Sequence, residues 1–153
     1  IAIYFITSLI NLSRSSKLAA DTKEQMESLS WLMPKNKQQL SWFVFGVSVS
    51  AGVCEELLFR GFLINFLTQQ ANIYFAVIVS SVLFGLCHLY QGWQNVIRTG
   101  LVGLVLALFY VLTDSLIATI LIHFLLDAYA GLLFYIAEKK VAEQPQSTKT
   151  AVV

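Results

Sequence analysis

The residues of this chain that could do chemistry are acids and histidines that lie within strongly apolar stretches. Glu55 and Glu56 stand side by side, and the two histidines of the chain, His88 and His123, lie in later apolar stretches. A carboxylate in a partly dry site can act as a general base toward water. Two imidazoles can orient that water, donate to a developing oxyanion or bind a metal ion. The set predicts hydrolysis of a carbonyl group, with a peptide bond as the favoured target.

Helical spacing indicates which of these side chains share a face. Residues four apart stack on one side of an α-helix, so Glu56 and Arg60 are predicted to pair. Glu55 lies about 100° further round the helix and is then free to point into a helix bundle. The same spacing relates His123 to Asp127. Asp127 is therefore predicted to hydrogen-bond His123, directly or through a shared water, and to fix its tautomer.

Small residues share a helical stripe with the first histidine. Ser81 and Gly85 precede His88 on one face, and small residues let membrane helices approach closely. We therefore expect His88 to face the bundle interior. Cys54 and Cys87 each come directly before a candidate residue and so point about 100° away from it. Without CxxC spacing, they are predicted to be small buried packing residues rather than nucleophiles.

The elements that carry these residues need lipid as their solvent. Of the 153 residues, 57% are hydrophobic and 12% charged, against about a quarter charged in a soluble domain. Apolar stretches at 41–67, 73–90, 100–113 and 115–137 predict membrane spans, and 1–12 predicts the end of a span that begins outside the sequence. The predicted fold class is all-α: a polytopic transmembrane helical bundle of about five spans, with its active site inside the bundle.

Basic residues are distributed unevenly among the connections. Of ten Lys and Arg, nine lie in segment 14–40, in the connection before the fourth span or in the polar tail 138–153, and none in the alternate connections. Cytoplasmic loops carry the excess of positive charge, so segment 14–40 and the tail are predicted to be cytoplasmic in a multi-pass protein of the cell membrane. We interpret 1–153 as one integral-membrane domain with a catalytic core at 41–137. Asp114 is predicted to be an N-cap.

Charged residues inside spans need a reason to be there. Each costs about 2.5–3.5 kcal/mol at a helix centre, and ionisable residues at such positions are functional candidates by default. Taken alone, the Glu56–Arg60 pair would more often be a buried structural staple, and a single histidine could serve only to tie helices together. Convergence of these residues on three helices, at matched spacing, favours a functional site.

Depth in the membrane adds a constraint. At about 1.5 Å per residue from Ser41, Glu55 lies about 20 Å deep, whereas His88 lies within a turn of the end of its apolar stretch. For the two to meet, either the helix of His88 continues beyond Tyr90 or residues 41–45 project from the bilayer. We expect a site in the cytoplasmic half, open to water on that side.

At these residues the sequence resembles the CPBP family, the CAAX protease and bacteriocin-processing group of intramembrane proteases, also called Abi proteins. Residues 55–60 match the motif EExxxR, residues 84–88 match FxxxH, and residues 123–127 match HxxxN/D, here with Asp. Each motif alone is weak, but the three in this order on three apolar stretches are specific. The resemblance covers about residues 41–134.

The resemblance implies an intramembrane endopeptidase, of glutamate-dependent or metallo type, in which Glu55 activates a water molecule. The other catalytic residues that it implies are Glu56, Arg60, His88, His123 and Asp127. Asp127 takes a position where members often have Asn and would help to hold the oxyanion or the second histidine. A divalent metal such as Zn²⁺, with Glu55, His88 and His123 as candidate ligands, stays an open alternative. The implied partner is a membrane-embedded or lipidated peptide or protein substrate.

Other function classes stay open beside the protease. A non-catalytic bacteriocin self-immunity protein or a membrane scaffold would use the same residues for binding, and a small proton or cation transporter would use them as a relay. The net charge of +1 and the lack of a Lys- and Arg-rich patch give no reason to expect a nucleic acid partner. The lipid bilayer is the expected surrounding.

Overall fold

The computed structural model describes residues 2–143. Within that range the regular structure is helical and no strand occurs, which confirms the predicted all-α class. We number six helices: α1 Ala2–Arg14, α2 Ser16–Gln25, α3 Lys37–Gln70, α4 Ile73–Cys87, α5 Trp93–Thr113 and α6 Leu116–Ala142. Short 3₁₀ turns at Glu27–Leu29 and Leu89–Gln91 lie between helices.

The helices match the apolar stretches of the sequence. In the described part of the chain, α3, α5 and α6 are long and apolar enough to cross a membrane, and α4 is a shorter apolar helix. With the 13 residues of α1, these correspond to the five predicted apolar stretches, three of them of full spanning length. The tail was predicted to be polar from residue 138, but α6 runs on to Ala142. The rest of the tail, from residue 144, lies outside the described residues.

Side-chain caps explain where several helices begin. Ser15, Asn36 and Asn72 each accept a hydrogen bond from the backbone N–H three residues later, at 3.2, 2.9 and 3.0 Å. This satisfies one of the N–H groups that the first turn of a helix leaves unpaired. The helix starts are therefore set by local polar residues and not by the first apolar residue. The start of α3 at Lys37, four residues before the predicted Ser41, follows from the cap at Asn36.

One local prediction about a helix end is wrong. Asp114 is no N-cap: it ends α5 in the left-handed conformation, with φ 49°, and Ser115 accepts the N–H of Ala118 at 3.3 Å instead. Asp is among the few non-glycine residues that adopt this conformation readily. Of the two alternatives for how Glu55 and His88 meet, the continuation of the His88 helix beyond Tyr90 does not occur. The helix ends at Cys87, and His88 is its C-cap.

The chain divides into two compact units. The terminal unit takes in the chain up to Phe43 together with the part from Tyr129 onward, and the central unit is Val44–Ala128. The boundaries fall within α3 and α6. All six predicted site residues belong to the central unit.

In the terminal unit, α1 and α2 pack against the last part of α6. Leu12, Ala19 and Ala137 are buried together there. The ring of Tyr129 meets Phe5 edge-on, with 4.5 Å between centroids, and its hydroxyl hydrogen-bonds Ser8.

In the central unit, the approach of α4 to α5 is close. A Cβ added to Gly85 would lie 2.7 Å from the carbonyl oxygen of Val96 and 3.0 Å from the Cα of Gly100. A small residue was predicted to permit such an approach, and the geometry confirms it. Further along the same helices, a buried cluster of Ile64, Ala76, Val77 and Ala107 brings in the end of α3.

We expect the substitution Gly85→Ala to lower the free energy of unfolding by about 1–3 kcal/mol, because the new methyl group would meet backbone atoms that cannot rotate away. The measurement is thermal unfolding of the purified protein in detergent. Gly46→Ala is the matched control, since nothing lies within 4 Å of a Cβ at that position. Equal unfolding midpoints for the two variants would contradict the close approach.

Candidate active site

The acids lie at a change in the backbone of α3. Val49–Glu56 is α-helical, and Leu57–Ile64 is π-helical. Glu55 and Glu56 therefore end the α-helical part, and Arg60 lies within the wider turns. Segments of π-helix are rare inside α-helices and are frequent at functional sites.

An amide side chain supports the π-helical segment. The Nδ2 group of Asn65 donates to the carbonyl oxygen of Gly61 at 2.8 Å and lies 3.4 Å from that of Arg60. The same nitrogen also donates to the hydroxyl of Tyr110 on α5, at 3.2 Å. Backbone carbonyls need partners in lipid, and Asn65 supplies them. The sequence analysis did not predict this role. The one signal for it was the presence of an amide side chain inside an apolar stretch.

Glu56 and Arg60 form the predicted ion pair. Both side chains are fully buried, with Nη1 of Arg60 2.8 Å from Oε1 of Glu56. Nη2 of Arg60 donates to the carbonyl oxygen of Gly103 on α5 at 2.7 Å. The guanidinium carbon lies 4.7 Å from the ring centroid of Phe84 on α4, within the range of a cation–π contact. The pair thus joins α3 to two other helices.

Glu56 also holds the second histidine. Its Oε1 atom lies 2.7 Å from Nδ1 of His123, and since a carboxylate oxygen accepts, Nδ1 carries the proton. Of the two forms predicted for the link between His123 and Asp127, the direct bond is absent, because Oδ2 of Asp127 lies 3.7 Å from Nε2, beyond hydrogen-bond distance; the link through a shared water stays a prediction. Glu56, on another helix, therefore takes the tautomer-fixing role predicted for Asp127. Four-residue spacing relates residues of the same helix and therefore could not predict a hydrogen-bond partner on a different helix.

The first histidine is oriented by its own helix end. Nδ1 of His88 lies 2.8 Å from the carbonyl oxygen of Phe84, so Nδ1 donates there as well. The ring of Phe84 lies beside both imidazoles, with centroids 5.0 Å from His88 and 5.9 Å from His123. In both histidines, Nε2 is left for the site.

The two Nε2 atoms converge on Glu55. Its Oε2 atom lies 3.9 Å from Nε2 of His88 and 3.8 Å from Nε2 of His123. This oxygen is buried and has no hydrogen-bond partner within residues 2–143. Separations of this size are too long for direct hydrogen bonds and suit a bridging water. The six residues singled out in the sequence thus lie in one connected cluster.

The three donors Glu55, His88 and His123 are spaced more widely than the ligands of a zinc site. Adjacent ligands of a tetrahedral zinc site lie about 3.3 Å apart, given bonds of 2.0–2.1 Å, whereas Oε2 of Glu55 lies 3.8 and 3.9 Å from the two Nε2 atoms. No three His, Cys, Asp or Glu side chains of the described residues are arranged to hold a metal ion. As placed, these donors do not fit a metal ion.

The cysteines are not buried packing residues, and that prediction is wrong. Cys54 and Cys87 are free thiols on the exposed surface. A residue one position before an inward-facing one lies about 100° round the helix, which here turns both thiols outward. In a membrane protein such a surface faces lipid, where a small apolar side chain has no need of burial.

We expect a double-mutant cycle on Glu56 and Arg60 to show coupling. Arg60→Met leaves a buried carboxylate without its cation and should lower the free energy of unfolding by about 3–5 kcal/mol. The variant Glu56→Gln/Arg60→Met leaves no charge uncompensated, so it should be more stable than the sum of the single losses by about 1–3 kcal/mol. The measurement is unfolding in detergent. Simple additivity would show that the buried pair does not act as a unit.

A comparison with known families places the chain in one of them. The sequence profile described as type II CAAX prenyl endopeptidase Rce1-like matches residues 37–129. This range spans more than half of the chain and contains all six candidate residues. No curated protein and no solved structure matches the chain significantly. The match confirms the resemblance that the three motifs indicated, and the chain belongs to the Rce1-like family of type II CAAX prenyl endopeptidases.

Proposed function

We propose that the protein is an intramembrane endopeptidase that hydrolyses a peptide bond of a lipidated or membrane-embedded substrate with a water molecule activated by Glu55. The observation that carries the proposal is the convergence of the two Nε2 atoms on Oε2 of Glu55, at 3.9 and 3.8 Å. One water between these three atoms would lie within hydrogen-bond reach of each. The family match supports the reaction class at the level of a membrane endopeptidase.

The two adjacent acids are suited to different tasks. The side chain of Glu55 is 30% exposed, whereas that of Glu56 is fully buried. Oε1 of Glu56 is already bonded to Arg60 and His123, so this oxygen is committed to holding them. In both acids Oε2 has no hydrogen-bond partner among the described residues, but only the side chain of Glu55 is partly exposed. Two carboxylates in contrasting environments commonly divide catalytic roles in this way.

The proposed reaction uses these positions in order. Glu55 takes a proton from the water as the water oxygen attacks the carbonyl carbon of the scissile bond. His88 or His123, in the protonated form, donates from Nε2 to the oxyanion that develops. Glu55 then passes its proton to the leaving nitrogen as the carbon–nitrogen bond breaks. Asp127 lies 3.7 Å from Nε2 of His123, where one water can link the two side chains.

The side of cleavage follows from the charge distribution. Segment 14–40 and the tail carry most of the basic residues and are proposed to be cytoplasmic. A hydrolase needs water at the scissile bond, which favours a site in the half of the membrane open to the cytoplasm. We therefore propose cleavage near the cytoplasmic face.

We expect Glu55→Gln to lower the turnover number by about 10²- to 10⁴-fold, the usual contribution of a general base. The unfolding temperature should not change, because Oε2 has no hydrogen-bond partner to lose. The measurement is cleavage of membrane-tethered peptides, with and without a lipidated cysteine, by the purified protein in liposomes.

The neighbouring thiols provide the controls for that experiment. Cys54→Ala and Cys87→Ala change exposed residues and should keep wild-type turnover. Full activity of Glu55→Gln, or its loss in a cysteine variant, would contradict the assignment. Wild-type protein that binds peptides without cleaving them would favour a binding function.

We expect a metal chelator to leave turnover unchanged, because the donors are spaced too widely for a metal site. His123→Ala should lower turnover under the same conditions, since it removes both the Glu56 partner and one Nε2 group. The measurement is the same peptide cleavage after dialysis against chelator. Loss of activity that Zn²⁺ restores would show that the site closes around a metal.

A further inference from the structure

A charged pocket of about 370 Å³ lies in the terminal unit, and none of its lining residues belongs to the candidate active site. Its charged lining residues come from α2, the segment after it and the last turns of α6: Lys23, Glu24, Glu27, Lys35 and Glu138. Phe134 and Val141 supply apolar surface. The volume falls within the range of small-molecule sites, about 300–1,000 Å³.

The level of this pocket along the helices is set by the sequence. Leu12 of α1 and Ala137 of α6 are buried in one cluster, and each ends the apolar part of its helix. Charge follows at Arg14 on α1 and at Glu138 on α6. The pocket is lined from Phe134 to Val141 on α6, so it begins where the apolar helices end. In a membrane this level is the headgroup region.

The charges of the pocket are of both signs and only partly paired. Nζ of Lys23 lies 2.8 Å from Oε2 of Glu138. The side chains of Glu24, Glu27 and Lys35 make no hydrogen bond or ion pair in the described part of the chain. Two carboxylates and one ammonium therefore stay available. A purely anionic ligand would meet the carboxylates, and a purely cationic one would meet the lysine.

We propose that this pocket binds a headgroup that carries both a phosphate and a primary ammonium, as in a phosphoethanolamine lipid. Lys35 pairs with the phosphate, and Glu24 and Glu27 accept hydrogen bonds from the ammonium. Phe134 and Val141 contact the methylene groups between the two charges. The position at the end of the apolar helices favours a bilayer lipid as the source.

The test compares lipids with identical acyl chains on the full chain purified in detergent. Native mass spectrometry and the shift of the unfolding temperature report binding. Phosphatidylethanolamine should bind about tenfold more tightly than phosphatidylcholine, whose trimethylammonium donates no hydrogen bond. Phosphatidylglycerol, which has no ammonium, should bind no better than phosphatidylcholine. Equal binding of all three, or tightest binding of phosphatidylglycerol, would overturn the proposal.

Matched variants test whether the lipid binds at this pocket. Glu27→Gln should remove the roughly tenfold preference for phosphatidylethanolamine. Lys35→Gln should weaken the binding of all three lipids, since each carries the phosphate, whereas Asp21→Asn and Lys17→Gln should keep wild-type binding. All four side chains are exposed, and only the first two line the pocket, so folding is preserved throughout. A preference that survives Glu27→Gln, or phosphatidylethanolamine binding that Lys35→Gln does not weaken, would refute the site.

A displacement experiment with free phosphoethanolamine distinguishes a bilayer lipid from a free headgroup compound as the ligand. Free phosphoethanolamine that displaces the lipid would show recognition of the headgroup in any form. Lipid binding that the free compound does not displace would show that the bilayer-borne form is the ligand. Both outcomes support the shared chemistry and assign its source.

Discussion

The site depends on one buried carboxylate oxygen. Oε1 of Glu56 is shared between Nη1 of Arg60 at 2.8 Å and Nδ1 of His123 at 2.7 Å, and Arg60 continues to the carbonyl of Gly103. These bonds join α3, α5 and α6, and the cation–π contact with Phe84 adds α4. A buried ion costs several kcal/mol to desolvate, so this arrangement persists only with each helix in its place. The ionic network thereby fixes where His123 points.

The adjacent acids show how one helix can both hold and expose a charge. Successive residues lie about 100° apart on an α-helix, so Glu56 faces the network while Glu55 faces the two Nε2 atoms. The π-helical turns that follow carry Arg60 back to Glu56. A rigid helix is a better support for reacting groups than a loop, because its backbone does not adjust as charge moves.

Much of this arrangement could be predicted from the sequence. The features that could not be predicted all depend on contacts between helices. Composition and apolar stretches predict an all-α membrane bundle, and four-residue spacing predicts the Glu56–Arg60 pair. The same rule assigned Asp127 to His123, although Glu56 takes that place. Residue spacing predicts contacts within one helix. Contacts between helices also depend on how each helix is rotated about its axis and how deep it lies in the membrane. The π-helical turns and the support from Asn65 depend on the same tertiary packing.

The short length of α4 bears on the access of water to the candidate active site. Its 15 residues span about 22 Å, less than the roughly 30 Å of a hydrocarbon core. His88 ends this helix, and a 3₁₀ turn follows at once. Irregular backbone at membrane depth is tolerated only where protein buries it or water solvates it. The helix end that aims His88 at Glu55 therefore needs either protein or water around it, and water at that place would supply the proposed hydrolysis.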